Sequence, residues 1–322
     1  MRYIIYGAGA IGGVIGARLY KAGKEAVLIA RGAHFEAIQN KGLTLETPES
    51  IETLKIRVVS NPAQISFRDD DAVILAMKSQ DTEGALKELL NTAGDAVSVV
   101  CTQNGVANER MALRRFQHVY AMVVMLPAMH MVPGVVEQNS LPVPGILDAG
   151  RYPEGIDATV ETICADLRDA GFSAKPDAAA MRLKYTKLLM NLGNAFQVIC
   201  GNDADGREIL TEARKEAVMC YRAADIQFAT DEEFRARRGH LITVKPVAEG
   251  RPRGSSSWQS AIRGTGTVEA DWLNGEICLL GRLYGIPTPV NQLLQVTANH
   301  MIRDKLPPGT ITPEELRKQL KL

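Results

Sequence analysis

Residues 2–12 read Arg2-Tyr3-Ile4-Ile5-Tyr6-Gly7-Ala8-Gly9-Ala10-Ile11-Gly12 (RYIIYGAGAIG). The first five form a short, nearly unbroken apolar run, the pattern of a buried strand. Residues 13–22 follow with Val14, Leu19 and small residues at helical spacing, Gly23 stops the segment, and residues 26–30 (AVLIA) form a second apolar run. Strand, glycine turn, helix and strand in succession are the setting in which G-x-G-x-x-G binds a dinucleotide. Gly7 permits the tight turn, Gly9 lets the backbone approach a pyrophosphate, and Gly12 lets the helix lie close to the strand. The helix N-terminus adds unpaired N–H groups and partial positive charge. Residues Gly7, Ala8, Gly9, Ala10, Ile11 and Gly12 are therefore assigned to a cofactor.

The end of the second strand bears on which cofactor that is. NAD-binding folds usually carry Asp or Glu there, bonding the ribose 2′-hydroxyl. This strand ends Ile29-Ala30-Arg31. A carboxylate would repel a 2′-phosphate, whereas a guanidinium pairs with one in bidentate fashion. NADP(H) is expected, with Arg31 on the phosphate. The competing reading is a solvated arginine at a strand end.

The chain has 322 residues, which suggests two domains. It is 46% hydrophobic and 23% charged with zero formal net charge, so neither nucleic acid nor an anionic membrane is expected as the main partner. The longest apolar stretch, 119–132, is broken by Pro127 and His130 and falls short of a membrane span. The N-terminus enters a strand directly, without a signal-peptide pattern. Five scattered cysteines with no C-x-x-C read as reduced thiols, so a cytoplasmic location is expected.

Further along, residues 32–62 look polar and irregular, with strand candidates at 43–46 and 56–59. Residues 71–77 (DAVILAM) form the next buried strand and end at Lys78; Asp81 resembles the N-cap of a helix over 82–90. Residues 97–101 make another strand, followed by Thr102-Gln103-Asn104-Gly105, and 119–125 a further one. Strands alternating with helices predict a doubly wound parallel sheet, and ligands lie outside the carboxyl ends of such strands. Arg31, Lys78 and Asn104 each follow such an end. Residues 133–153 suggest short antiparallel strands at the sheet edge, 156–170 a helix and 172–175 a last strand. The domain boundary is expected at 176–177.

The remainder reads helical: 178–199, 207–228, a short segment capped by Asp231, then 255–262, 268–283, 290–302 and a last helix from Thr312. A basic loop with Pro and Gly interrupts these helices at 239–254. The expected class is α/β, an N-terminal Rossmann-type doubly wound sheet over residues 1–177 with an all-helical C-terminal domain over 178–322.

Three groups in that second domain carry candidate chemistry. Lys187, Asn191 and Asn194 are spaced i, i+4, i+7, on one helix face. Reduction of a ketone by hydride leaves an alkoxide that needs a proton, which a lysine can give; the plainer reading is a surface lysine beside two asparagines. Glu269, in the first turn of a helix, complements the helix dipole or accepts a hydrogen bond from a substrate hydroxyl. Ser255-Ser256-Ser257 cap a helix or offer donors to a substrate carboxylate.

The whole chain resembles the ketopantoate reductases (2-dehydropantoate 2-reductases). The resemblance rests on GAGAIGG (7–13), Lys78 after DAVILAM, CTQNG (101–105) and KLLMN (187–191). It rests also on the serines followed by Ile262-Arg263, on VEADWLNGEI (268–277) and on GIPTPVN (285–291). It implies NADPH-dependent reduction of a 2-oxo acid to a 2-hydroxy acid, by default ketopantoate to pantoate in pantothenate biosynthesis. It implies that Lys187 is the general acid and that Asn104 lies near the nicotinamide and substrate. Asn191 and Asn194 would contact the substrate, Ser257 its carboxylate and Glu269 its hydroxyl. Lys184 is a rival one turn earlier, but only Lys187 stands four residues before an asparagine. The family pattern puts a second asparagine four residues after the first; here it is three, and Ala195 occupies the expected position. The basic loop 239–254 and Trp258 are a second departure. A dehydrogenase for another keto acid and a non-catalytic NADPH sensor are the alternatives, and a homodimer is compatible with either.

Overall fold

The computed structural model describes residues 1–248, 254–264 and 266–321. The chain divides into two compact units. One contains Met1–Lys184 and a returning segment that starts at Thr230; the other contains Tyr185–Ala229 and the C-terminal helices. This division differs from a single boundary at 177.

The strands are β1 (Arg2–Tyr6), β2 (Ala26–Ile29), β3 (Leu43–Glu46), β4 (Ile51–Leu54), β5 (Arg57–Val59), β6 (Asp71–Leu75) and β7 (Ser98–Cys101). They continue as β8 (His118–Met125), β9 (Ala128–Met129), β10 (Val135–Gln138), β11 (Ser140–Pro142), β12 (Ile146–Arg151) and β13 (Ile242–Val244). Helices α1 (Ala10–Lys21), α2 (Gly32–Lys41), α3 (Ser79–Ala93), α4 (Asn108–Leu113) and α5 (Ala158–Asp169) belong to the first unit. Helix α6 (Ala180–Asn191) begins in the first unit and ends in the second. Then come α7 (Gly193–Cys200), α8 (Arg207–Ala223), α9 (Asp231–Arg238) in the returning segment, α10 (Ser256–Ile262), α11 (Asn274–Tyr284), α12 (Pro289–Arg303) and α13 (Pro313–Leu320).

The main sheet runs β12-β8-β7-β6-β1-β2-β5, parallel throughout except for β12, which pairs antiparallel with β8 at the edge. Strand β1 is buried along its length, as expected of a central strand covered on both faces. Its side chains alternate between two cores. Tyr3 and Ile5 pack with Val14, Ile15 and Leu19 of α1 and Ile163 and Leu167 of α5. Ile4 and Tyr6 pack with Leu86 and Leu89 of α3 and Ala112 of α4. Each such aliphatic side chain contributes roughly 1.5–3 kcal/mol on burial, so the period of two in five residues commits the strand to the centre of a three-layer structure. A smaller sheet, β4-β3-β10-β9, and the β11–β13 pair complete the unit.

The doubly wound sheet is the one expected, with local differences. Residues 32–41 form a helix, not irregular chain; only Ile38 on it is buried, so no apolar face was there to read. Strand β4 was likewise unforeseen, because its burial alternates only between exposed and partly buried. Helix α3 starts at Ser79 with Lys78 as N-cap, and Asp81 lies in its first turn. Residues 172–175 form no strand, only isolated bridges from Ile146 to Ser173 and from Ala149 to Pro176. Part of the expected basic loop, Ile242–Val244, pairs with Ser140–Pro142; its residues 249–253 lie outside the described residues.

In the second unit every element among the described residues is helical. Its core joins Phe196, Val198 and Ile199 of α7, Ile209 and Ala213 of α8, Leu294, Ala298 and Met301 of α12 and Leu316 of α13. The long helix expected over 178–199 is interrupted at Leu192. The one expected over 268–283 is a 3-10 turn, Glu269–Trp272, followed by α11.

Candidate active site

The glycine loop can be tested position by position. Gly7 has φ +103°, and a Cβ there would stand 2.7 Å from the Met77 nitrogen, so conformation and packing both demand glycine. A Cβ on Gly12 would lie 2.2 Å from the Gly7 oxygen and 2.9 Å from Ile5 Cγ2; glycine here lets α1 rest on β1. Gly9 differs. Its φ is −72°, and a Cβ would meet no protein atom within 4 Å. Neither backbone nor packing requires glycine there, and a side chain would fill open space beside the start of α1. That helix has no side-chain cap and no acid in its first turn, which leaves its N-terminal N–H groups and positive dipole end for an anion. A dinucleotide pyrophosphate fits this cradle. Ala8 is buried, and Ala10 and Ile11 are half-buried.

Arg31 is exposed at the N-cap of α2. Its Nη2 lies 3.1 Å from Glu88 Oε2 and 3.4 Å from the Tyr6 hydroxyl, and that hydroxyl donates to Glu88. Burial and the Glu88 carboxylate together push the Tyr6 phenol upward. No carboxylate follows β2 directly, but one arrives from α3. The sequence reading missed Glu88, since nothing in a separation of 57 residues signals the contact.

Lys78 is half-buried, at the N-cap of α3. Asn104 is half-buried in the turn after β7. That turn is fixed by Thr102, whose N–H and hydroxyl donate to the Leu75 carbonyl at 3.1 and 2.6 Å, and by Gln103, whose Nε2 is 3.6 Å from Met77 Sδ. The glycine loop, Arg31, Lys78 and Asn104 thus follow the carboxyl ends of β1, β2, β6 and β7, four adjacent strands of one sheet. The first unit brings all of its expected residues to a single edge.

In the second unit, Lys187 is half-buried on α6. Its Nζ donates to Asn191 Oδ1 at 3.1 Å, one helical turn along. Asn191 is 5% exposed, and its Nδ2 is buried with no hydrogen-bond partner among the described residues. Asn194 is half-buried in α7, beyond the interruption at Leu192. The shared face expected for three residues therefore holds within one helix only for Lys187 and Asn191.

Lys184 is spent elsewhere. It is 2% exposed, pairs with the buried Glu109 carboxylate and donates to the Cys101 carbonyl at 3.2 Å. Among the serines, Ser255 is the cap: its hydroxyl accepts from Trp258 N at 3.3 Å, and its own N–H donates to Gln197 Oε1 at 3.0 Å. Ser257 is buried inside α10. Glu269 is buried at the first position of the 3-10 turn, not in the first turn of a long helix.

Taken by chemistry, the first unit offers a phosphate cradle with a cation after β2. The second offers an ammonium beside a buried amide donor, together with a buried carboxylate and a buried hydroxyl.

The comparisons with known proteins agree over most of the chain. The family model for ketopantoate reductase PanE/ApbA matches residues 3–154, and that of its C-terminal region matches 179–301. The 2-dehydropantoate 2-reductase of Pyrococcus horikoshii is 29% identical, covering 91% of this chain and 95% of that one. The enzyme of the same name from Archaeoglobus fulgidus is also 29% identical over the same shares. The crystal structure of a PanE/ApbA family ketopantoate reductase from Ralstonia eutropha superposes with a TM-score of 0.77 at 29% identity, covering 95% of this chain and 99% of that one. A D-mandelate dehydrogenase solved with NADH and anilino(oxo)acetate has a TM-score of 0.80 at 22% identity over 95% and 99% of the two chains, a likeness of fold. No helix among the described residues is long and apolar enough to cross a membrane. The protein is a 2-dehydropantoate 2-reductase-like oxidoreductase that uses a nicotinamide cofactor on a keto acid, and the chain belongs to the ketopantoate reductase PanE/ApbA family.

Proposed function

We propose that the protein reduces 2-dehydropantoate to pantoate with NADPH, with Lys187 as the proton donor. This reading is carried by the Lys187–Asn191 pair, in which an ammonium is held by an amide whose own buried Nδ2 has no partner among the described residues. A buried donor without an acceptor costs about 1–3 kcal/mol, and a substrate oxygen would supply the acceptor. The names of the relatives support the substrate.

NADPH, when bound, supplies the hydride that reduces the keto carbon. Lys187 Nζ gives a proton to the carbonyl oxygen as negative charge develops there, completing the alcohol. Asn191 Oδ1 orients the ammonium, and its Nδ2 donates to the substrate. Ser257 donates to the substrate carboxylate, Glu269 accepts from its hydroxyl, and Asn194 completes the pocket. In the first unit Gly7, Ala8, Gly9, Ala10, Ile11 and Gly12 hold the pyrophosphate, Arg31 the 2′-phosphate, and Lys78 and Asn104 flank the cofactor. Five free thiols suit a reducing compartment, the cytoplasm. Sedimentation tests the homodimer.

Loss of NADPH absorbance with ketopantoate, beside a panel of other 2-oxo acids, tests the reaction. Rapid oxidation with ketopantoate is expected, and Lys187→Ala should lower kcat by about 10²–10⁴-fold with NADPH affinity unchanged. Turnover of a different acid alone would overturn the substrate; an active Lys187→Ala would overturn the acid. The break at Leu192, which sets Asn194 on a separate helix, favours another 2-oxo acid as the second reading.

A further inference from the structure

Asn274 opens α11 and is fully buried. A directed chain of hydrogen bonds fixes its amide. Glu216 of α8 accepts from the Val290 and Asn291 N–H groups at the start of α12, at 2.8 and 3.0 Å, so a carboxylate from one helix caps another. Asn291 Nδ2 also donates to Glu216, at 2.7 Å, and to the Ala213 carbonyl, at 2.8 Å. Backbone carbonyl and carboxylate only accept, so the Asn291 amide has one orientation. Its Oδ1 must face Asn274, which donates to it from Nδ2 at 3.1 Å. The second Nδ2 hydrogen of Asn274 then goes to the Leu192 carbonyl at 3.2 Å.

The chain ends at the joint between α6 and α7, one residue after Asn191. It is bought at a cost, because Asn274 Oδ1 is buried with no partner among the described residues. An apolar side chain would avoid that orphan, so the donation to Leu192 is what the amide provides. At its other side Asn274 is separated by Leu273 alone from the turn that carries Glu269. Asp271 of that turn accepts from Gln295 and Asn299 of α12 at 2.8 and 2.6 Å. A Cβ on Gly275 would come within 2.8 Å of Gln295 Nε2, so glycine allows this close docking. Both anchors lie within the second unit.

We infer that Asn274, oriented by Asn291 and Glu216, is a positioning residue that sets the Lys187–Asn191 helix end against the turn bearing Glu269. The inference rests on the assignment of Lys187 made above. A displacement of a reacting group by about 1 Å costs on the order of 10²-fold in rate, which is the sensitivity such a strut controls.

The test is Asn274→Leu, with kcat expressed per NADPH bound. Bound NADPH counts the molecules whose first unit is folded, and unchanged amide exchange in α13 shows that the second unit remains folded, so the two readouts together separate misplacement from unfolding. Asn274→Leu should lower kcat about 10–100-fold, leave the KM for NADPH within twofold, and speed amide hydrogen exchange across 187–196 with α13 unaffected. Asn291→Leu should act in the same direction. A kcat per bound NADPH within twofold of the unsubstituted protein overturns the inference while leaving Lys187 in place. If the unsubstituted protein reduces no 2-oxo acid, the functional reading fails separately, and the exchange measurement decides: unchanged protection across 187–196 overturns the strut. If Asn274→Leu does not fold, Asn274→Ser replaces it under the same criteria.

Discussion

Lys184 and Glu109 form an ion pair in the interior of the first unit, with side chains 2% and 0% exposed. They stand 75 residues apart in sequence, and Lys184 also holds the carbonyl at the end of β7. Removing one member of such a pair strands a charge in low dielectric, whereas removing both does not. Lys184→Met should destabilise the protein by about 3–5 kcal/mol. The Lys184→Met, Glu109→Leu double substitution should recover much of that. Urea denaturation of the three proteins checks the pattern; a double substitution as damaging as the single one would contradict it.

In the glycine loop, the proposed cofactor contact and the packing requirement fall on different glycines. Gly9→Ala adds a methyl group where no protein atom stands within 4 Å. It should keep the melting temperature yet weaken NADPH binding by about tenfold or more, since each 1.4 kcal/mol of lost contact is a factor of ten. Gly12→Ala would place its methyl 2.2 Å from the Gly7 oxygen and should lose stability first. Thermal melts alongside fluorescence titration distinguish the two, and equal melting losses would remove Gly9 from the pyrophosphate.

Glu88 pairs with Arg31, the residue proposed to take a 2′-phosphate. The pair is more than half exposed on the arginine side, a class worth about 0–1 kcal/mol, so it yields easily to a doubly charged ligand. Arg31→Ala should weaken NADPH far more than NADH. Glu88→Gln should strengthen NADPH binding modestly and leave NADH alone. Equal effects of Arg31→Ala on both cofactors would sink the phosphate assignment.

Burial raises the Glu216 carboxyl above its ordinary value, with the N–H groups of Asn291 and Val290 opposing. A carboxyl raised in the folded state favours folding below the unfolded pKa and loses that contribution as pH rises through the folded value. The melting temperature should therefore carry a component that declines as pH climbs from about 4.5, the ordinary carboxyl value, towards the raised one. Glu216→Gln should flatten that component even if it lowers stability overall. An unchanged slope in the variant would place the titration elsewhere.

Much of the first unit was legible because its signals are local. Five apolar residues, three glycines at fixed offsets and a second apolar run specify strand, turn, helix and strand without reference to the rest of the chain. The placement of Arg31, Lys78 and Asn104 along one edge was legible for a related reason: each follows a buried strand, and parallel strands bring their carboxyl ends together. Helix α2 was not legible, because its only buried residue, Ile38, leaves no period to detect. The run 172–175 misled for the opposite reason: it has a strand's composition, but only isolated bridges to β12.

The sequence by itself determined the strand–glycine turn–helix start of the parallel-sheet half, the helical character of the second half and the pairing of Lys187 with Asn191, because backbone turns and i, i+4 neighbours depend on short-range geometry alone. Only the tertiary structure showed what Lys184, one turn before Lys187, is paired with: Glu109, reached across 75 residues. The same holds for Glu88 beside Arg31 and for the chain from Glu216 through Asn291 and Asn274 to Leu192. A buried polar group must find its partner wherever the fold puts one, and that partner has no fixed distance along the sequence.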